Sequence, residues 1–340
     1  MAYLYGYTII IGYSEVFTMG DFGALISGLP GAAAQGLIWG IMAIGVYITY
    51  KVLDVADLTV DGSICTGGAT CIMLLMAGFS MPVALLGAFI AGCLAGLCTG
   101  IIHTFMGIPA ILAGILTQLA LYSVNLKIMG KANQPINASN YDLLVSLRNV
   151  KNVPIGQNTI LITFVIVAIL IGFLYWFFGT EFGSSIRASG ANQAMCRAQG
   201  INVDFNTVFG LTVSNGIVAF SGALLAQYQG FADVNMGRGA IVIGLAAVVI
   251  GEAVFGKFSQ NFAYKLSCVA IGSIIYYFVL QVVIWRGLDP QLLKMLSAII
   301  VALFLAVPYW KGKYFKPHHK HANKPAVNTE EKGVNENATA

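Results

Sequence analysis

The sequence predicts an all-α fold, a polytopic bundle of transmembrane helices with about nine hydrophobic segments. Hydrophobic residues make up 58% of the 340 and charged residues only 9%, at a mean hydropathy of +0.80. That balance is too apolar for a domain with a solvated surface. No charged side chain occurs between Asp61 and Lys127, which leaves room for three helical spans of about 20 residues each. Residues 159–178 and 266–285 are also free of charge, and each is about 30 Å long as a helix, enough to cross the hydrocarbon core.

Residues 1–30 have no basic region, and their apolar stretch at 7–13 is followed by Glu15 and Asp21. No cleavable signal peptide is expected, and 1–30 reads as an amphipathic segment on the outer face. The membrane domain follows over 31–310, with hydrophobic segments near 36–52, 62–79, 82–106, 109–129, 159–178, 206–230, 240–255, 266–285 and 294–310. Pro82 and Pro109 divide the long uncharged stretch. Gly92, Gly96 and Gly100 recur at spacings of four, as do Gly36 and Gly40, so close helix contacts are expected on those faces. His103 should bond to a neighbouring helix. Neither a triad, a metal-ligand cluster nor a carboxylate pair with a base can be assembled, so the chain reads as no enzyme. Six cysteines, at 65, 71, 93, 98, 196 and 268, form no C-x-x-C pair and read as small packing residues.

An odd number of spans puts the termini on opposite faces. Under that parity one side carries Lys51, Arg187, Arg197, Lys257, Lys265 and six lysines of the tail, eleven in all, against seven on the other. The excess assigns the tail and the segment 180–204 to the cytoplasm and the N-terminus to the outside. The tail, 311–340, is rich in Lys, Asn, His and Glu and is expected to be disordered or to rest on anionic headgroups. It supplies much of the net charge of +4, which gives no ground for nucleic-acid binding. His318, His319 and His321 lack a fourth ligand, so the chain reads as metal-free.

Two polar breaks interrupt the hydrophobic pattern. Asp54, Asp57 and Asp61 precede the helix starting near Gly62. They either stabilise its N-terminus through the helix dipole or line a passage at membrane depth. The second break, Asp233 through Asn235 and Arg238 to Gly239, leads into only 13 uncharged residues before Glu252, too short a span unless it is a half-helix. The two breaks fall on opposite faces in this reading, as expected of an inverted repeat with short or broken helices. Gly251 to Lys257 matches the phosphate-binding pattern G-x-x-x-x-G-K, but Phe258 stands where a Mg²⁺-binding hydroxyl is needed and the preceding residues continue a helix. The match is coincidental.

The segment beginning at Thr180 is polar and punctuated by glycine. Asn192 can cap a helix and Gly200 can end one, with about two turns between them. Such a helix cannot span a bilayer. Lying flat outside it, with Arg187 and Arg197 exposed, it can be gripped by another protein.

Three stretches together resemble the permease subunits of ATP-binding-cassette importers, in the group that handles branched-chain amino acids, ribose and related solutes. They are 36–50 with the following Ala56-Asp57-Leu58-Thr59-Val60-Asp61-Gly62; 120–133 with Asn125 and Asn133; and the loop bearing Phe182, Gly183, Ile186, Arg187, Gly190, Asn192, Gly200 and Ile201. The similarity covers almost all of 37–310, and the second stretch looks most like a subset linked to tryptophan or tyrosine uptake. The long tail departs from the family's short ending. The resemblance implies an importer subunit in the bacterial plasma membrane that binds no cofactor itself. ATP and Mg²⁺ would be used by a separate cytoplasmic ATPase docked on the loop. Further partners would be an external solute-binding protein, membrane lipid and a second permease copy, as a homodimer. Arg187, Gly190, Asn192 and Gly200 would shape the coupling helix, and Asp57, Asp61, Asn235 and Arg238 would line the passage. The rival expectation is a proton-coupled secondary transporter using Glu252 or Asp57 and Asp61.

Overall fold

The computed structural model describes residues 22–137, 141, 143–150, 158–256, 261–286 and scattered positions from 295 to 306. Residues 1–21, the tail and most of the ninth expected segment lie outside the described residues. The other eight segments are helical. Among the described residues six helices are long and apolar enough to cross a membrane, and Val60–Met76 and Ala240–Phe255 are shorter apolar helices.

The first helix among the described residues, α1 (Phe22–Tyr47), begins well before residue 36 and carries Pro30 in its interior. A proline deletes one backbone bond but does not end a helix that tertiary contacts hold. Here the Tyr228 hydroxyl donates to the Gly31 carbonyl at 3.2 Å, beside Pro30. The helix continues as a π-turn, Ile48–Val52, and ends where Asp54 adopts φ of 55°, a left-handed conformation that Asp tolerates better than most residues. After this break come α2 (Val60–Met76), α3 (Met81–Thr104) and α4 (Ala110–Met129). Pro82 lies in the first turn of α3 and Pro109 is the N-cap of α4, so both prolines punctuate as expected. His103 Nδ1 meets the carbonyl of Ile108 at 2.7 Å. Its partner is thus the turn that follows its own helix, not a neighbouring helix as expected.

The lipid-type helix α5 (Thr159–Gly179) leads into two short ones, α6 (Glu181–Ala191) and α7 (Gln193–Ala198). Then follow α8 (Val203–Gln229), a second break, α9 (Ala240–Phe255) and α10 (Phe262–Trp285). One departure from pure helix is a small antiparallel pair, β1 (Asn133–Pro135) with β2 (Phe231–Asp233), in which Asn133 faces Asp233 and Pro135 faces Phe231. It clasps the ends of α4 and α8, each terminated by a left-handed glycine, Gly130 and Gly230.

Packing is reciprocal. In one half α3 lies on α8, in the other α10 lies on α1, and α1 and α8 cross in the centre. The glycine rows make these contacts: Gly92 and Gly96 admit the backbone of α8 at Asn215 and Leu211, and Gly36 and Gly40 admit α10 at Ile274 and Ser273. In lipid such close approach is a main source of helix association. The order helix, break, short helix, long helix occurs as α1–α2–α3 and again as α8–α9–α10, the pattern of an inverted repeat.

Candidate functional site

The two breaks were expected on opposite faces; they begin at opposite ends of the bundle and converge within it. The first, 53–59, starts at the end where α6 and α7 lie, and the second, 230–239, starts at the β1–β2 end. Both run inward, and buried backbone there must find partners; the second break finds them in the first turns of α2, at Asp61 and Cys65. Asp61 accepts from the backbone N–H of Gly239 at 2.9 Å and of Ile241 at 3.0 Å, so a residue of the first turn of α2 caps α9. Gly237 lies against the Asp61 carbonyl, where any Cβ would overlap it. Cys65 Sγ accepts from the Gly237 N–H at 3.2 Å. From this junction α2 runs toward β1, where Gln134 reaches Met76, and α9 runs to the opposite end, where Glu252 meets Lys51 at 3.1 Å.

Asp57 is 2% exposed. It accepts from its own Thr59 N–H at 2.9 Å and from the Asn215 side-chain amide at 2.6 Å; Ser63 donates to Asn215 at 2.6 Å. Thr59 and Thr99 share a hydroxyl bond of 2.7 Å. Asn215 is midway along α8, so the strapped junction lies near the middle of the bundle. A buried carboxylate is tolerated when its bonds are made; those of Asp57 tie the break to α8, and Ser63 extends the link from Asn215 to α2. Of the other passage candidates, Asn235 and Arg238 lie beside the junction. The Asn235 Oδ1 is buried without a partner among the described residues, and Arg238 is exposed. Glu252 lies apart, at the far end of α9.

At the other end lies the loop. Asn192 accepts from the Met195 N–H at 3.0 Å and caps α7; Gly200 follows it with φ of 79°. The preceding helix, α6, went unread in the sequence, although Thr180 at its start accepts from the Gly183 N–H at 3.2 Å and was the signal for it. Gly183 packs on the backbone at Phe177 and Phe178, and Gly190 on the carbonyl of Val52 in the π-turn of α1. Ile186 is buried beneath α6. Asn206 of α8 donates to Ser185 at 2.9 Å and to Ser189 at 2.8 Å, which binds α6 to α8. Phe182 stacks among Phe177, Phe205 and Phe209.

The two expected cations differ. Arg197 pairs with Asp204 at 3.1 Å in an exposed salt bridge, and Arg187 lies over the Phe262 ring, 5.5 Å from its centroid. Met195 is 60% exposed on α7. Sequence reasoning passed over it, because a methionine in a short capped helix looks the same facing in or out. Gly251 lies inside α9 against the Cys268 carbonyl, and the pattern is helical through Phe255; Lys257 and Phe258 lie outside the described residues. Among the described residues no group of three His, Cys, Asp or Glu is placed to hold a metal ion.

The family model described as "Branched-chain amino acid transport system / permease component" matches residues 28–308. A tyrosine transport system permease protein of Clostridioides difficile (strain R20291) is 40% identical over 281 residues, covering 83% of this chain and 91% of that protein. An uncharacterized protein of Rickettsia prowazekii (strain Madrid E) is 33% identical, covering 81% and 95%. A galactofuranose transporter permease protein of Escherichia coli (strain K12) is 27% identical, covering 84% and 80%. With a broken-helix bundle, paired half-helices and a match over nearly its whole membrane domain, the chain belongs to the permease-component family of branched-chain amino acid transport systems.

Proposed function

We propose that the chain is the membrane-spanning subunit of an ATP-driven importer of an amino acid, aromatic or branched-chain, moved by a separate cytoplasmic ATPase that grips α6 and α7. The observation that carries this reading is the double tether of α6: Asn206 links it to α8 and Gly190 seats it on α1. A displacement of α6 therefore acts on both central helices, and through them on the junction between α2 and α9. The chain itself does no chemistry. ATP and Mg²⁺ belong to the partner, an external binding protein delivers the solute, and a second copy completes the passage.

The passage runs past Asp61, Asn235 and Arg238, with Asp57 bracing its wall. Asp61 is only partly buried, and because its carboxylate already caps the start of α9, what it presents to the passage is an acceptor suited to the amino group of an amino acid. The name of the tyrosine-transport relative favours an aromatic amino acid. Proton coupling through Glu252 has less support, because that carboxylate already meets Lys51.

The test is a charge placed on the exposed face of α7. Met195→Glu is expected to abolish copurification with the cognate ATPase and ATP-dependent uptake of labelled tyrosine in vesicles, with no change in the melting temperature of the isolated subunit. Undiminished ATPase association would refute docking at α7, and uptake driven by a proton gradient without any ATPase would refute the ATP-driven mechanism.

A further inference from the structure

Beside the loop lies a cleft of about 400 Å³ bordered by Tyr47, Tyr50, Lys51, Asp54, Arg187 and Lys265, with Phe262 in its wall. Its charges are not balanced. Lys51 is paired with Glu252, while Arg187 and Lys265 have no carboxylate within salt-bridge distance among the described residues. With Asp54 and Glu252 counted against the three cations, the cleft keeps a positive excess. A second cleft, of about 530 Å³, shares Arg187 and Phe262 with the first and is lined by Tyr175 and Trp176 from the last turns of α5.

Trp176 is 66% exposed, and Ile169 and Phe173, also exposed, precede it at helical spacing. An apolar stripe thus runs along α5 and ends at the shared Arg187. We propose that the joined clefts bind the phosphate of an anionic phospholipid from the leaflet at the loop end. Arginine can donate two parallel N–H groups to phosphate oxygens and Lys265 adds a point charge. Tryptophan and tyrosine settle at headgroup depth, and basic pockets between transmembrane helices hold anionic headgroups. The acyl chains lie along the stripe of α5. A lipid fits better than an acidic side chain of a protein partner because the second cleft borders this exposed apolar helix. Bound there, it bridges α5, α6 and the start of α10, and steadies the loop against the membrane.

Native mass spectrometry of the purified full-length subunit in uncharged detergent tests this, with short-chain phosphatidylglycerol, phosphatidylcholine of equal chain length, and inorganic phosphate as probes. Phosphatidylglycerol should bind in preference to the other two. Arg187→Gln or Lys265→Gln should weaken it about fivefold each and the double substitution about thirtyfold, whereas Lys131→Gln, on an exposed residue at the β1–β2 end, should not. Equal binding by the double variant or equal retention of phosphatidylcholine overturns the proposal. Inorganic phosphate binding as tightly as the lipid also overturns it, in favour of a free-anion site. No ATPase enters the assay, so the outcome is independent of docking at α7.

Discussion

The central junction and the loop are built on opposite plans. At the junction most bonds join separate elements: Asp61 of α2 caps α9, Asn215 of α8 holds Asp57, and Gly67 and Gly222 lie against the carbonyls of Ala219 and Ile64. In the loop most bonds are local, with Thr180, Asn192 and Asn202 capping the helices that they begin. Asn206 and the seat of Gly190 on Val52 carry the loop's position inward to the two central helices. A region held by its neighbours deforms with them, whereas one held by itself moves as a unit. The junction is therefore where the bundle's shape is set, and the loop is a handle on it.

Substitutions can test that contrast. The largest effect is expected from Gly67→Leu, because its side chain must displace the α8 backbone at Ala219. Overpacking of this kind costs about 3 kcal/mol, and the variant should give little folded protein by fluorescence-detected size-exclusion chromatography. A normal yield and melting temperature would mean that α2 and α8 can part freely. Asp61→Ala should cost less, about 1–2 kcal/mol, through loss of the charged cap on α9, read as a lower melting temperature in detergent. If stability is unchanged, the two breaks do not depend on each other. The smallest effect belongs to the loop: Arg197→Ala removes a salt bridge between groups more than 60% exposed and should change stability by less than about 0.5 kcal/mol. A larger loss would show that the loop's surface charges hold the bundle.

Much of the fold was legible because membrane helices are bounded by residues with local rules. Pro82, Pro109, Asn192 and Gly200 each act through their own backbone, and each marks the boundary that its chemistry predicts. The glycine rows were legible for a similar reason, since a missing Cβ identifies the face of contact without naming the partner. Pro30 lies inside α1, where neighbouring helices hold the chain and the same local rule is overridden. The convergence of the two breaks could not be read, as it depends on how deep each turns back, and depth is a tertiary property. Asp57 illustrates the limit: its carboxylate suggested a passage, but only the fold shows it bonded to Asn215. The Arg187 stack on Phe262 joins residues far apart in sequence and left no trace in either segment.

The β1–β2 clasp has a mechanical consequence. Three facing residue pairs fasten α4 to α8 at one extremity, so any splaying of α8 away from α4 must pivot there. At 1.5 Å per residue, the length of α8 makes an arm of about 40 Å, on which a tilt of about 3° moves the far tip by roughly 2 Å. Small rotations at the fulcrum thus become displacements of atomic size at the handle, and a push at the handle returns to the fulcrum with the same leverage.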